Sequence, residues 1–145
     1  MSKSFTLGEA QTLLPVLEAL LQRARTTALR GAELELEMQR LSQRIFLVGG
    51  MHVDVVAAAR RRAERDKAGQ EARDTIAEIE AIGARVHDLE TGMLDFPCQV
   101  DGQAALLCWR LGEATISYWH GLEESEDERR PLDTKFGKGE RERLN

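Results

Sequence analysis

Apolar residues recur every three or four positions along the first third of the chain. The series consists of Leu13, Leu17, Leu20, Ala24, Thr27, Gly31, Leu34, Met38, Leu41, Ile45 and Val48. Alternating steps of four and three residues are typical of a long helix that packs against another helix. The segment Thr6-Leu7-Gly8-Glu9 is a capping box and predicts where this helix begins, because its Thr hydroxyl and Glu carboxylate can each accept a backbone N–H of the first turn.

The pair Gly49-Gly50 interrupts the periodic run and predicts a turn between two helices. We expect the second helix to end at Gly83, a residue suited to the left-handed conformation of a helix C-cap. If the chain folds back at the two glycines, Gly31 faces Ala68 and Gly69. Small residues on both sides would let the two helix backbones approach closely.

After Gly83 the pattern changes to short runs that are typical of β-strands. The predicted strands are Arg85–Leu89, Met93–Val100, Gln103–Arg110 and Ala114–His120. Between the second and third runs, Asp101-Gly102 predicts a two-residue hairpin turn, since both positions of a type I′ turn require positive φ. This turn fixes the register and places Asp95 opposite Cys108 and Leu94 opposite Trp109.

Together these elements predict an α+β fold in which a long antiparallel helical hairpin packs on a four-stranded antiparallel meander. The first helix carries a second apolar stripe, Leu7, Leu14 and Leu21, which the meander is placed to cover because its strands begin where the second helix ends. We predict one domain over residues 1–121. Residues 122–145 are almost wholly charged, and we expect this tail to be disordered.

Composition and charge narrow the class of protein. The 145 residues are 42% hydrophobic and 31% charged, which suffices for one globular core. The net charge of −5 argues against a nucleic-acid partner, because such binding depends on neutralising phosphates. Two cysteines are too few for a disulfide scaffold and suit a reducing cytoplasm. Polar residues break the first apolar stretch, so we expect neither a signal peptide nor a membrane partner.

Four blocks in the strand region are similar to those of a known family. They are Asp88-Leu89-Glu90-Thr91-Gly92, Leu94-Asp95-Phe96-Pro97, Leu107-Cys108-Trp109-Arg110-Leu111-Gly112-Glu113 and Ile116-Ser117-Tyr118-Trp119-His120. With the opening Phe5-Thr6-Leu7-Gly8-Glu9-Ala10, they resemble the small bacterial family called domain of unknown function 2203, to about residue 122. The resemblance implies a bacterial protein built from a helical hairpin and a meander, and it implies no particular chemistry.

One candidate site on the meander is a metal centre. If Glu90-Thr91-Gly92 forms a three-residue loop, His87 lies opposite Asp95, which already neighbours Cys108. These three side chains offer nitrogen, oxygen and sulfur ligands for a transition metal, or a Cys108 thiolate polarised by an imidazole. Structural roles in the core and in hydrogen bonds are the common alternative for such residues.

A second candidate site is a ligand-binding surface on the same meander. It would be formed by Asp95, Arg110, Glu113, Tyr118 and His120. Adjacent aromatic residues at the end of the last predicted strand point to opposite faces, so we expect one of them to be partly exposed. Such a surface would suit a small molecule or a protein partner.

Apolar side chains are also more numerous than two helices and a small sheet are expected to bury. Leu14 and Leu21 lie on the second stripe of the first helix, and Phe46 and Val55 lie near the hairpin turn. We expect these four residues to form an oligomer interface. The leading hypothesis is therefore a homo-oligomeric binding or interaction module.

The alternative hypothesis is a small metal-binding protein or an enzyme that uses Asp95 and Cys108 with His120 or His87. The sequence contains no nucleotide-binding glycine loop and no common hydrolase signature. It therefore predicts no particular reaction and does not support the use of ATP or NAD; the cofactor stays unknown, with a transition metal as the one candidate.

Overall fold

The computed structural model describes residues 4–47 and 54–132. These residues form two helices, a five-stranded sheet and one short 3-10 helix. The elements are α1 (Leu7–Leu47), α2 (Val55–Ile82), β1 (Arg85–Asp88), β2 (Met93–Val100), β3 (Gln103–Arg110), β4 (Tyr118–Gly121), the 3-10 helix Glu126–Glu128 and β5 (Arg130–Pro131). The predicted α+β class is confirmed, with five strands in place of four.

Local sequence signals set the helix ends as predicted. The backbone N–H of Thr6 donates to the Glu9 carboxylate at 2.9 Å, and the backbone N–H of Glu9 donates to the Thr6 hydroxyl at 3.1 Å. Asp54 caps α2 by accepting the backbone N–H of Ala57. At the other end of α2, Gly83 has a φ of 116°, a conformation that favours glycine. Neither helix contains a stretch long and apolar enough to cross a bilayer.

The chain forms two compact units. One unit comprises Met1–Gln22 together with Ile76–Asn145, and the other comprises Arg23–Thr75. The segment predicted as one domain, residues 1–121, is thus divided between a sheet-containing unit and a purely helical unit.

In the helical unit, α1 and α2 approach closely at Gly31. A Cβ added to Gly31 would lie 3.6 Å from the Cβ of Ala68 and 3.8 Å from the backbone nitrogen of Gly69. The predicted pairing of small residues is therefore confirmed. Ion pairs that join the two helices are Arg65–Glu35, Arg23–Glu71 and Arg30–Glu64.

The sheet is antiparallel with the strands in sequence order. At the turn between β2 and β3, Asp101 and Gly102 have φ values of 52° and 77°, as a type I′ turn requires. The register that follows pairs Leu94 with Trp109 and Asp95 with Cys108, as predicted. This turn therefore decides which residues of β2 and β3 share a face.

One face of the sheet builds the core with the first part of α1 and the last part of α2. The fully buried side chains of this core include those of Leu17, Leu21, Ile79, Phe96 and Trp109. Leu14 belongs to the same cluster and is also buried. The assignment of Leu14 and Leu21 to an oligomer interface is therefore wrong, because the sheet of the same subunit covers them.

The last part of the fold differs from the prediction. Strand β4 begins at Tyr118, whereas the predicted strand began at Ala114. Part of the tail that was expected to be disordered pairs with the sheet: Tyr118 lies opposite Pro131, and the backbone N–H of Leu132 donates to Ser117. The charged residues of this segment find partners on the sheet, which their composition alone does not predict. Residues 133–145 lie outside the described residues.

Candidate metal centre

The face of the sheet opposite the core carries a row of polar side chains. Alternate residues of a strand point to opposite faces, so Asp95, Cys108 and His120 share this outer face on β2, β3 and β4. All three are buried; Asp95 is 3% exposed and His120 is 1% exposed. Buried polar groups are costly unless they are paired, so their partners are informative.

The Asp95 carboxylate lies between two imidazole rings. Its Oδ2 is 2.8 Å from Nδ1 of His87, and its Oδ1 is 3.2 Å from Nε2 of His120. The two ring centres are 5.7 Å apart. One potential ligand atom from each of the three residues lies within 4.8 Å of the other two. We call His87, Asp95 and His120 the His-Asp-His cluster.

A β-bulge brings His87 to Asp95. The register pairs Arg85 with Asp95 and Val86 with Leu94, and then shifts so that Asp88 pairs with Met93. The predicted three-residue loop is one residue longer, because β1 ends at Asp88 and β2 begins at Met93; its Gly92 has a φ of 77°. The residue opposite Asp95 is Arg85 and not His87, so the predicted pairing is wrong, although the His87 side chain does contact Asp95.

His120 reaches Asp95 diagonally across the sheet. Cys108 pairs with both Asp95 and Tyr118, while His120 pairs with Leu106. His120 is therefore two residues along β4 from the row that contains Asp95. His120 was already a candidate with Asp95 in the alternative metal-binding hypothesis, but its contact with Asp95 across the intervening strand β3 was not predicted.

Hydrogen bonding defines the state of the His120 ring. Its Nδ1 lies 2.9 Å from the carbonyl oxygen of Gly121, and because a carbonyl only accepts, Nδ1 carries a proton and donates it. Nε2 then faces Oδ1 of Asp95, and an ionised carboxylate also only accepts. Three arrangements satisfy this contact: a second proton on the ring, a proton on the carboxyl group, or a metal cation between the two atoms.

The spacing of the cluster suits a metal ion. Nitrogen and oxygen ligands bind zinc at about 2.0–2.2 Å, which at tetrahedral angles places adjacent ligand atoms roughly 3.3–3.6 Å apart. The two contacts of the Asp95 carboxylate, at 2.8 and 3.2 Å, are slightly shorter than that separation, and the three ligand atoms lie within 4.8 Å of one another. The cluster can therefore exchange its internal hydrogen bonds for metal bonds with small side-chain movements.

Cys108 occupies its predicted position but not its predicted role. Burial, followed by the charge of Asp95, raises the pKa of the Cys108 thiol to about 11. Its sulfur lies 4.0 Å from Nη1 of Arg129. At neutral pH the residue is a thiol and not a thiolate nucleophile, and it is not in the group of converging ligand atoms. Of the predicted set His87, Asp95 and Cys108, the first two side chains thus converge with His120 and not with Cys108.

Two residues predicted to bind a ligand are engaged by the tail. The Glu113 carboxylate accepts two hydrogen bonds from the Arg129 guanidinium, at 3.2 and 2.9 Å, and one from the backbone N–H of Arg110. The same guanidinium lies 4.0 Å from the centre of the Tyr118 ring. Glu113 and Tyr118 therefore hold the tail segment on the sheet and do not form an open surface. Sequence analysis missed Arg129 because it lies in the segment expected to be disordered.

Arg110 is the exception among the predicted ligand-binding residues. Its Nη2 lies 3.7 Å from the Met93 sulfur, and its buried Nε has no hydrogen-bond partner. Within the described parts of the chain, no carboxylate pairs with its guanidinium. Of the two predicted interface residues near the hairpin turn, Val55 is exposed, and the side chain of Phe46 lies outside the described residues.

Comparison with known proteins identifies the family of the chain. No curated protein and no solved structure matches the chain. One family model, described as Uncharacterized conserved protein (DUF2203), matches residues 3–132, which include both helices, all five strands and the His-Asp-His cluster. The chain therefore belongs to the DUF2203 family.

Proposed function

We propose that this protein binds a divalent transition-metal ion through Nδ1 of His87, the carboxylate of Asp95 and Nε2 of His120. The observation that carries the proposal is the convergence of two imidazole nitrogens on both oxygens of one buried carboxylate. Imidazole ligands favour first-row transition ions over magnesium and calcium, which prefer oxygen. Two histidines and one carboxylate therefore point to an ion such as iron, zinc or manganese.

Three protein ligands leave coordination positions open to water or to a substrate. Structural zinc sites are closed by four protein ligands, whereas catalytic sites keep a position free. The side chain of His87 is 28% exposed, so the cluster can be reached from solvent on that side. A metal held in this way would serve in binding or catalysis more readily than in holding the fold together.

The surroundings of His120 support its role as a ligand. Metal-bound histidines usually donate their second N–H to a carbonyl or a carboxylate, which fixes the orientation of the ring. Here the Gly121 carbonyl accepts the Nδ1–H of His120, and the backbone N–H of Gly121 donates to Glu124 at 2.6 Å. Glu124 in turn pairs with Arg130. This chain of contacts keeps Nε2 directed at Asp95.

A metal titration tests the proposal. The chain should be purified without a histidine tag, stripped with a chelator and titrated with Zn²⁺, Fe²⁺, Mn²⁺ and Co²⁺ in competition with a chromophoric chelator. We expect one ion per chain. Replacing a residue that supports a metal ligand typically lowers metal affinity by about 10- to 100-fold. The variants H87A, D95N and H120A alter a ligand itself, so each should weaken metal binding by more than that.

The third histidine of the chain provides the matched control. The variant H52A removes the one imidazole of the chain that the proposal does not use and should bind as the unaltered protein does. If the unaltered protein and H120A bind all four ions with the same affinity, the His-Asp-His cluster is not a metal site. In that case it is a buried hydrogen-bond network that supports the sheet.

We propose self-association through the helical unit as a second function. Leu29 and Leu36 lie seven residues apart on one face of α1 and are 62% and 46% exposed, and Val55 and Val56 are exposed at the start of α2. Seven-residue spacing of apolar side chains is typical of helix association. Multi-angle light scattering at micromolar concentration should give a dimer or larger, and the variant L29E/L36E should be monomeric. A monomer from the unaltered chain would contradict this proposal.

We further propose that the protein works in the reducing cytoplasm of a bacterium. Both cysteines, Cys98 and Cys108, are buried, and neither forms a disulfide. Reduced thiols are the rule where thioredoxin and glutathione keep cysteines reduced.

A further inference from the structure

We propose that the metal centre binds a small oxyanion, a carboxylate or a phosphate, and that Arg110 supplies the second contact to this anion. One oxygen of the anion would take an open coordination position of the metal, and another would accept the N–H of the Arg110 Nε. This inference rests on the proposed metal-binding function and goes beyond it by naming the class of ligand.

The first step is the unpaired charge of Arg110. Among the described residues, its buried Nε has no hydrogen-bond partner, and its Nη2 donates to the weakly accepting sulfur of Met93. The residue as a whole is half-buried, and a buried N–H without an acceptor is costly. Among the described carboxylates, Glu113 accepts the backbone N–H of Arg110 while its oxygens pair with the Arg129 guanidinium. A bound anion would satisfy the remaining donor.

The second step is the position of Arg110 relative to the His-Asp-His cluster. Arg110 pairs with Met93, and the next pair on the same face of β2 and β3 is Cys108 with Asp95. Two residues along a strand correspond to about 7 Å, a distance that an arginine side chain and a small anion together can span. The cluster and the unpaired guanidinium therefore lie on one face, one pair of residues apart.

The third step is the balance of charge. Arg129 and Glu113 form an ion pair and neutralise each other. A divalent ion on Asp95 leaves a positive charge at the centre, and the Arg110 guanidinium adds another. A partly buried site with this excess of positive charge attracts anions. The planar guanidinium is suited to the oxygens of carboxylates and phosphates.

The experiment uses the cobalt-loaded full-length protein. Acetate and inorganic phosphate are titrated separately, and the visible absorption of Co²⁺ reports an anion that enters its coordination shell. The two titrations distinguish a carboxylate site from a phosphate site. In the variant R110Q, affinity for the preferred anion should fall by about 10- to 100-fold, as the loss of a charge-assisted hydrogen bond implies.

Two further variants separate recognition of the anion by the Arg110 guanidinium from a general effect of removing positive charge. R110K keeps the charge without the planar fork and should bind the anion with intermediate affinity, while R61Q removes an exposed arginine of α2 and should leave it unchanged. Cobalt affinity and the circular dichroism spectrum should be the same in all of these variants. These measurements show whether R110Q weakens anion binding without changing the fold or the binding of cobalt.

Several results would overturn the inference. If R110Q binds acetate and phosphate as tightly as the unaltered protein, Arg110 is not the second contact. If H120A, which should lack the metal, still binds the anion at Arg110 by isothermal titration calorimetry, the anion does not bridge to the metal. If the unaltered chain takes up no cobalt, the proposed function fails at the loading step, and the metal-bridged anion fails with it.

Discussion

Replacing Asp95 by asparagine and by alanine should have very different effects on the stability of the metal-free protein. The amide oxygen of D95N can accept the Nδ1–H of His87, and the amide N–H can donate to Nε2 of His120. Because Nδ1 of His120 donates to Gly121, a neutral ring presents Nε2 as an acceptor, which the amide satisfies. The asparagine therefore builds a neutral network in which every buried donor and acceptor has a partner.

The magnitudes follow from the burial of the pair. D95A leaves His120, which is 1% exposed, with no partner for Nε2 and no access to water. Removing one member of a buried pair costs about 3–5 kcal/mol of unfolding free energy. Replacing a buried ionic pair by a satisfied neutral one is often neutral or stabilising, so D95N should lie within about 1.5 kcal/mol of the unaltered protein.

Urea unfolding in the presence of a chelator measures both effects. Trp109 and Trp119 both lie in the sheet, so their fluorescence reports on the unit that contains Asp95. With a slope of about 2 kcal/mol per molar urea, D95A should lower the midpoint by roughly 2 M, and D95N by less than about 1 M. The control E123A removes an exposed carboxylate and should leave the midpoint unchanged. Equal destabilisation by D95N and D95A would refute the hydrogen-bond assignment of the His120 ring.

Three further predictions concern other parts of the chain. Burial raises the pKa of the Cys108 thiol to about 11, so iodoacetamide should alkylate it at pH 8 more than about 100-fold more slowly than an ordinary cysteine. Mass spectrometry of the variant C98S, in which Cys108 is the remaining cysteine, measures this rate. A rapid reaction would contradict the prediction. The hydrogen bond from the backbone N–H of Gly121 lowers the pKa of Glu124 below its unfolded value. The ionised Glu124 therefore stabilises the fold above about pH 5, and this stabilisation is lost as the pH falls through the lowered pKa. The difference in melting temperature between E124Q and the unaltered protein should shrink towards pH 3, and a constant difference would show that the charge of Glu124 does not stabilise the fold. At Gly31 an added Cβ makes an ordinary 3.6 Å contact with Ala68, so G31A should stabilise the helical unit by up to about 1 kcal/mol, whereas G31L should destabilise it; thermal unfolding followed at 222 nm distinguishes these outcomes.

Sequence signals that act between near neighbours were reliable. The capping box at Thr6 and Glu9, the C-cap at Gly83 and the turn at Asp101-Gly102 are all present as predicted. Each depends on the backbone conformation of a few consecutive residues, which the side chains of those residues largely decide. The register of β2 and β3 follows from the turn, so the pairing of Asp95 with Cys108 could also be predicted.

Contacts between distant segments were predicted less well. The bulge at His87 shifts the register of β1, and β4 begins four residues later than expected. The segment that follows β4 pairs with the sheet because Arg129 finds Glu113 and Tyr118 there. Charge composition predicted disorder for this segment because it contains no information about partners that are distant in the chain.

The sequence by itself determined the helical hairpin, the central strand pair and the pairing of Asp95 with Cys108. Only the tertiary structure decided that His120, and not Cys108, shares that carboxylate with His87. The physical reason is that a hairpin register is set by the local φ angles of its turn, whereas a diagonal contact between side chains depends on how separate strands, a bulge and a bound tail segment pack together.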